Sequence, residues 1–386
     1  MRKVFLCALA ALAAVTASAQ GGNTGTGGYD GDYKSLSDRV LNLEKKTDNF
    51  NLFVIYPSSF QVGDDGNGWS SAFRAKQLRL EIKGAFGDHL TYRLRHRLNR
   101  SQAGADFENF SKATDIMMAG YRINDHWTLM GGKLCQFWGG FEFDENPMYI
   151  YEYSEMVNNM DNFLAGAAIA FYPMAGQEFV LNVSDSYSNH FETEYGAGAL
   201  LQDGTALKAS RHPLAYILNW NGNLFGGLVE TRWSVGAYNQ AEGYWDKMAF
   251  LGQKLNLPKF QVYFDWMSAW EGLDRLRIAS SELGGGRYLE DVHYNSFVTK
   301  ANWQFAPGFN LMLKGMYETA SLKDFHNYRT AWGYISSLEY YPVQDQDFRV
   351  FLAYVGRRYD YTAASALPGW NTNRIELGFM YRIKAY

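Results

Sequence analysis

The chain has 386 residues, with 36 Lys and Arg against 40 Asp and Glu, and its formal net charge of −4 offers no basis for nucleic-acid binding. Aromatic residues make up 17% of it, as 27 Tyr, 26 Phe and 11 Trp, yet mean hydropathy is −0.31, an odd pairing for a water-soluble domain. Beyond the first twenty residues no apolar run approaches the ~18 residues of a membrane helix, which excludes a helical membrane protein.

The chain opens with Arg2 and Lys3, an apolar stretch from Val4 to Val15, and the small-residue triplet Ala17-Ser18-Ala19. This is the pattern of a secretory signal peptide, assigned to residues 1–19, and the apolar stretch is too short to span a bilayer. Its removal leaves Cys135 as the single cysteine, so no internal disulfide is expected. Residues 20–49 read as a Gly-rich tether followed by a short helix. Leu36, Val40 and Leu43 repeat there at coiled-coil spacing among charged residues. The helix reads equally as a short oligomeric coil or a frayed linker.

From 50 to 386 strand-length segments of alternating polarity follow without a break. Sixteen are drawn: 50–56, 76–84, 89–98, 113–122, 127–134, 162–172, 178–187, 213–221, 229–239, 246–255, 259–268, 292–303, 309–319, 331–341, 347–357 and 372–384. The clearest is Gln77-Leu78-Arg79-Leu80-Glu81-Ile82-Lys83, with one face for lipid and one for a lumen. Tight connections rich in Gly, Pro, Asn and Asp, such as Gly84–Asp88 and Pro173–Gln177, alternate with longer ones. The long ones include Pro57–Ala75, Cys135–Asp161, Ser188–His212 and Ala320–Thr330. Prolines are expected in connections or at strand ends. In lipid, only helices and closed barrels satisfy the backbone. The expectation is therefore an all-β protein: a 16-stranded antiparallel transmembrane β-barrel in the bacterial outer membrane, with a short N-terminal helical segment. The C-terminal Tyr386 is out of phase with the outward residues of the last strand.

Two charged features stand out. Arg93, Arg95 and Arg97 share one strand face, with Arg79 and Lys83 projecting from the strand before, and Arg382 and Lys384 in lumen phase on the last strand. Lys314 and Arg349 are further candidates. This basic ladder either favours anions in a water-filled bore or braces the wall through ion pairs. The connection Cys135–Asp161 carries Glu142, Asp144, Glu145, Glu152, Glu155 and Asp161. As the third long loop it either folds inward as a constriction, where its acids would answer the ladder, or covers the mouth.

Chemical motifs are missing. The seven histidines form no HExxH or paired Cys/His spacing, and neither GxSxG nor a P-loop is present. No enzyme activity, metal or cofactor is expected. The exception left open is a barrel lipase, which needs a Ser–His pair on the lipid-facing wall near the outer rim.

The segment Phe73-Arg74-Ala75-Lys76-Gln77-Leu78-Arg79-Leu80-Glu81-Ile82-Lys83-Gly84, followed by Phe86-Gly87-Asp88-His89-Leu90-Thr91-Tyr92-Arg93-Leu94, resembles the opening hairpin of phosphate-selective porins of the O and P type. Gly132-Lys133 leading through Phe137, Gly140 and Glu142 to Glu155-Met156-Val157 is similar to the stretch entering that family's third loop. The resemblance implies a trimeric 16-stranded anion channel with an inward-folded loop and an arginine ladder. The expected partners are outer-membrane lipid, small hydrophilic solutes or anions, and two further copies of the chain. A substrate-selective uptake channel for organic solutes or oligosaccharides is the alternative.

Overall fold

The computed structural model describes residues 49–343 and 346–385. The signal segment, the tether and helix up to residue 48, and Tyr386 lie outside the described residues.

Seventeen strand segments are present among the described residues: β1 (Asn51–Asp64), β2 (Trp69–Arg74), β3 (Arg79–Phe86), β4 (Leu90–Arg97), β5 (Thr114–Asn124), β6 (Trp127–Cys135), β7 (Phe163–Met174), β8 (Gln177–Asp185), β9 (Leu214–Leu224), β10 (Val229–Tyr238), β11 (Asp246–Leu257), β12 (Phe260–Leu273), β13 (Glu290–Ala306), β14 (Phe309–Leu322), β15 (Phe325–Tyr340), β16 (Asp347–Tyr361) and β17 (Trp370–Lys384). Each pairs antiparallel with its sequence neighbour, and β1 closes the sheet on β17 from Phe53↔Lys384 to Asp64↔Asn373. The other edge of β1 pairs with both β2 and β3, which are two pieces of one strand. The result is a closed 16-stranded antiparallel barrel with no free edge to aggregate.

Alternation sets the two faces. On β9, Tyr216 and Leu218 are exposed, whereas Ile217, Asn219 and Asn221 are buried. On β14, Leu313 is exposed and Lys314 is buried. Exposed apolar side chains suit lipid, and buried polar ones face the interior.

Two connections differ from expectation. β1 runs on past Tyr56 to Asp64, so the expected loop Pro57–Ala75 is a strand, a turn at 65–68 and a returning strand. Asp64 Oδ1 caps that turn by accepting from the N–H groups of Gly66 (3.0 Å) and Gly68 (3.2 Å). Pro57 thus lies inside a strand. The pairing opposite it jumps from Ile55↔Arg79 to Ser59↔Arg74, so the partner strand is broken where β1 has no N–H to offer. The expected loop Ala320–Thr330 is likewise a hairpin, with Leu322 paired to Phe325 around Lys323 and Asp324. Polar residues such as Ser58, Ser59 and Asn327 disguised these strand ends as loops.

Candidate functional site

The interior is occupied by the connection between β6 and β7. It holds two short helices, α1 (Phe141–Asp144) and α2 (Glu155–Asn159), with a 3-10 turn at Pro147–Tyr149 between them. The loop folds into the lumen, and the sequence shows why it can. Gly139 passes so close to β10 that a Cβ there would sit 2.6 Å from the Arg232 carbonyl oxygen. Gly140 has φ 87°, a backbone conformation that side chains disfavour. The chain then plates aromatic rings onto the wall. Trp138 stacks on Tyr238 and Phe250, with centroids 5.6 and 5.1 Å apart, and Phe141 stacks on Tyr263 at 5.8 Å.

Polar contacts fasten the loop around the bore. Asp265 on β12 accepts the backbone N–H groups of Phe141 (2.9 Å) and Glu142 (2.8 Å), groups that a helix start leaves without partners. Glu142 pairs with Lys314 and accepts from the Ser154 N–H at 2.8 Å. Glu145 pairs with Lys300. Glu152 meets Arg357 at 2.9 Å and Arg374 at 3.2 Å. Glu155 takes a two-pronged bond from Arg329, and Asp144 lies 3.4 Å from Arg232. Tyr151 donates to Glu339 at 2.8 Å, and Arg349 donates to the Met148 carbonyl at 2.7 Å. Five of the six loop acids are therefore answered by cations of β10 and β13–β17. The sixth, Asp161, faces the cavity at the loop's exit. It is exposed there, with Glu194 lining the same cavity.

The ladder has different partners. Arg93 pairs with Glu81 at 2.6 Å. Arg79, Arg95 and Arg97 converge on one carboxylate, Asp115, at 3.4, 3.2 and 2.8 Å. The loop's Glu142 answers Lys314, but Arg79, Arg93, Arg95 and Arg97 pair with carboxylates of the wall instead of the loop. Asp115 sits on β5, beside β4, and reaches the arginines first, while the loop is drawn to the far wall. Arg382 lines the same cavity but lies over the Phe53 ring at 3.9 Å, as does Lys83 at 4.7 Å. Lys83 is fully buried opposite Arg93 and Lys384 is exposed at the end of β17.

Between loop and ladder lies a cavity of about 1220 Å³. Thirteen Lys and Arg side chains line it against eight Asp and Glu. Sequence reasoning missed Asp115, Asp265, Lys300, Arg329, Arg357 and Arg374. Asp265, Lys300, Arg329, Arg357 and Arg374 lie in the inward phase of their strands, and that phase was the available signal. Asp115 shares parity with the exposed Met117 and Tyr121 and turns inward where the β4–β5 register shifts.

The described residues contain no group of three or more His, Cys, Asp or Glu arranged to hold a metal ion. Ser268 Oγ lies 2.9 Å from His293 Nε2, in phase with the exposed Phe264 and Trp270. This is the pair a barrel lipase would need. Ser268 is fully buried, however, and its hydroxyl is shared with Asn295 Oδ1 at 2.9 Å.

The model of the phosphate-selective porin O and P family matches residues 57–383. The chain belongs to that family. It is an outer-membrane porin. No curated protein sequence matches it. Solved structures share its fold at low identity. The outer membrane channel DcaP of Acinetobacter baumannii superposes with a TM-score of 0.62 and 11% identity, over 88% of this chain and 99% of that one. OmpF of Salmonella typhi, solved with daunomycin, gives 0.58 and 10%, over 88% and 99%. OmpT of Vibrio cholerae in its trimer form gives 0.55 and 9%, over 87% and 100%.

Proposed function

We propose that this porin is a passive, water-filled channel that prefers small anions, phosphate among them, and works as a homotrimer with its tight turns toward the periplasm. The observation that carries the preference is the excess of basic over acidic side chains along the cavity. The loop acids spend their charge on the far wall, so the loop's cavity face is largely neutralised. The ladder keeps three guanidinium groups on one carboxylate. In a narrow bore with low-dielectric walls this surplus lowers the entry barrier for anions and raises it for cations.

Two supports favour the trimer: the family and the trimer form recorded for OmpT of Vibrio cholerae. The test is the reversal potential of single channels in a salt gradient. Anion preference that weakens when Arg95 and Arg97 become Gln supports the reading, and cation preference of the unaltered channel ends it. Native mass spectrometry in detergent reads the subunit number.

A further inference from the structure

Beyond charge, the ladder wall has an apolar component that an inorganic anion cannot use. We infer that the cavity holds a discrete site for organic carboxylates bearing an aromatic ring, formed by Arg79 and Arg95 with the rings of Phe163 and Tyr153. The inference rests on the anion-preferring reading above and gives that site its ligand class.

Four observations converge. Arg79 is 1% exposed and lines the cavity, and its Nε and Nη1 hydrogens meet no acceptor among the described residues. A buried donor left without a partner is costly, so the position favours an incoming oxyanion. Arg95 lies over the Phe163 ring at 4.9 Å, and Phe163 also lines the cavity. The ring therefore flanks the cation instead of shielding it from below the wall. Tyr153 comes from the loop into electrostatic range of Arg79 and Arg95 and presents a second ring to the same space. Ile116, directly paired with Arg95 on β5, adds an apolar surface.

The protein's own occupant of this guanidinium cluster is a carboxylate, that of Asp115. A planar carboxylate matches the guanidinium fork. A ring attached to it would stack in offset or edge-on fashion against Phe163 and Tyr153, a gain on top of its buried area. Phosphate satisfies the fork but leaves both rings and Ile116 facing water. An aliphatic carboxylate as small as acetate reaches neither ring.

The experiment uses the full porin in planar bilayers carrying a chloride current. Benzoate, acetate and inorganic phosphate are added separately at pH 7 and constant ionic strength. The expected result is half-block by benzoate at a concentration about tenfold below that for acetate or phosphate. Phe163→Leu keeps apolar volume but removes the ring, and it should shrink that advantage to about twofold. Tyr153→Leu is the second variant should the first fail to assemble. Phosphate or acetate blocking as well as benzoate overturns the inference, as does an advantage that survives both variants. Cation preference in the salt gradient overturns the parent reading instead, so the two failures are distinct.

Discussion

Lys314→Met tests whether ion pairs hold the loop in the bore. Lys314 and Glu142 are both buried, with side chains 2% and 0% exposed. Removing the lysine leaves the Glu142 carboxylate with Ser154 and the backbone around it but no counter-charge. Breaking a buried pair from one side costs about 3–5 kcal/mol, because the surviving charge stays desolvated. At about 1.4 kcal/mol per tenfold, the ratio of docked to undocked α1 falls by about a hundredfold to a few thousandfold. The remaining tethers at Glu145, Glu152 and Glu155 keep the rest of the loop inside, so the damage should be local. Single-channel recording reads it as added open-channel noise and a raised mean conductance. Limited digestion with proteinase K, mapped by mass spectrometry, should cut between 139 and 147 only in the variant. The double variant Glu142→Gln with Lys314→Met removes both charges and keeps an acceptor for Ser154, so it should recover most of the loss. A single variant with wild-type noise, conductance and protease resistance would refute the reasoning, and so would a double variant worse than the single.

Two further outcomes follow from the charge arrangement. Asp115→Asn removes the one carboxylate shared by Arg79, Arg95 and Arg97, so anion preference in a salt gradient should rise, at the cost of a less stable barrel against heat. Asp161 is exposed to the same cavity and adds a negative charge to it. Asp161→Asn should therefore raise anion preference in a salt gradient at pH 7; an unchanged reversal potential assigns the preference elsewhere.

Much of the barrel was legible because strand alternation and turn chemistry are local. Leu80 and Ile82 against Arg79, Glu81 and Lys83 declare their faces without help from any other strand. The turns at 175–176 and 307–308 announce themselves by Gly or Pro. What could not be read depends on contacts distant in sequence. Pro57 looked like a strand end, and only the pairing with β17, more than 300 residues later, shows β1 continuing past it. The inward loop was anticipated as one of two alternatives, yet its partners were not. Glu142 and Lys314 are separated by 172 residues, and Glu152 and Arg374 by 222. Nothing in local periodicity says which inward cation a loop acid will meet. Asp115 was passed over because simple alternation puts it on the outward face with Met117 and Tyr121, and only the register shift between β4 and β5 turns it inward.

The segregation of charge by element also bears on how the molecule assembles. Residues 136–161 contain six acids and neither Lys nor Arg, while the cations that receive them belong to strands drawn from the second half of the chain. The rest of the chain is close to neutral, with 36 Lys and Arg against 34 Asp and Glu, so the complementarity is local to the bore. A barrel closed without the loop would leave Arg232, Lys300, Lys314, Arg329 and Arg357 in its bore without their loop carboxylates. The docked loop thus supplies counter-charges to one side of the bore, and the glycine pair at 139–140 lets its backbone settle against that wall.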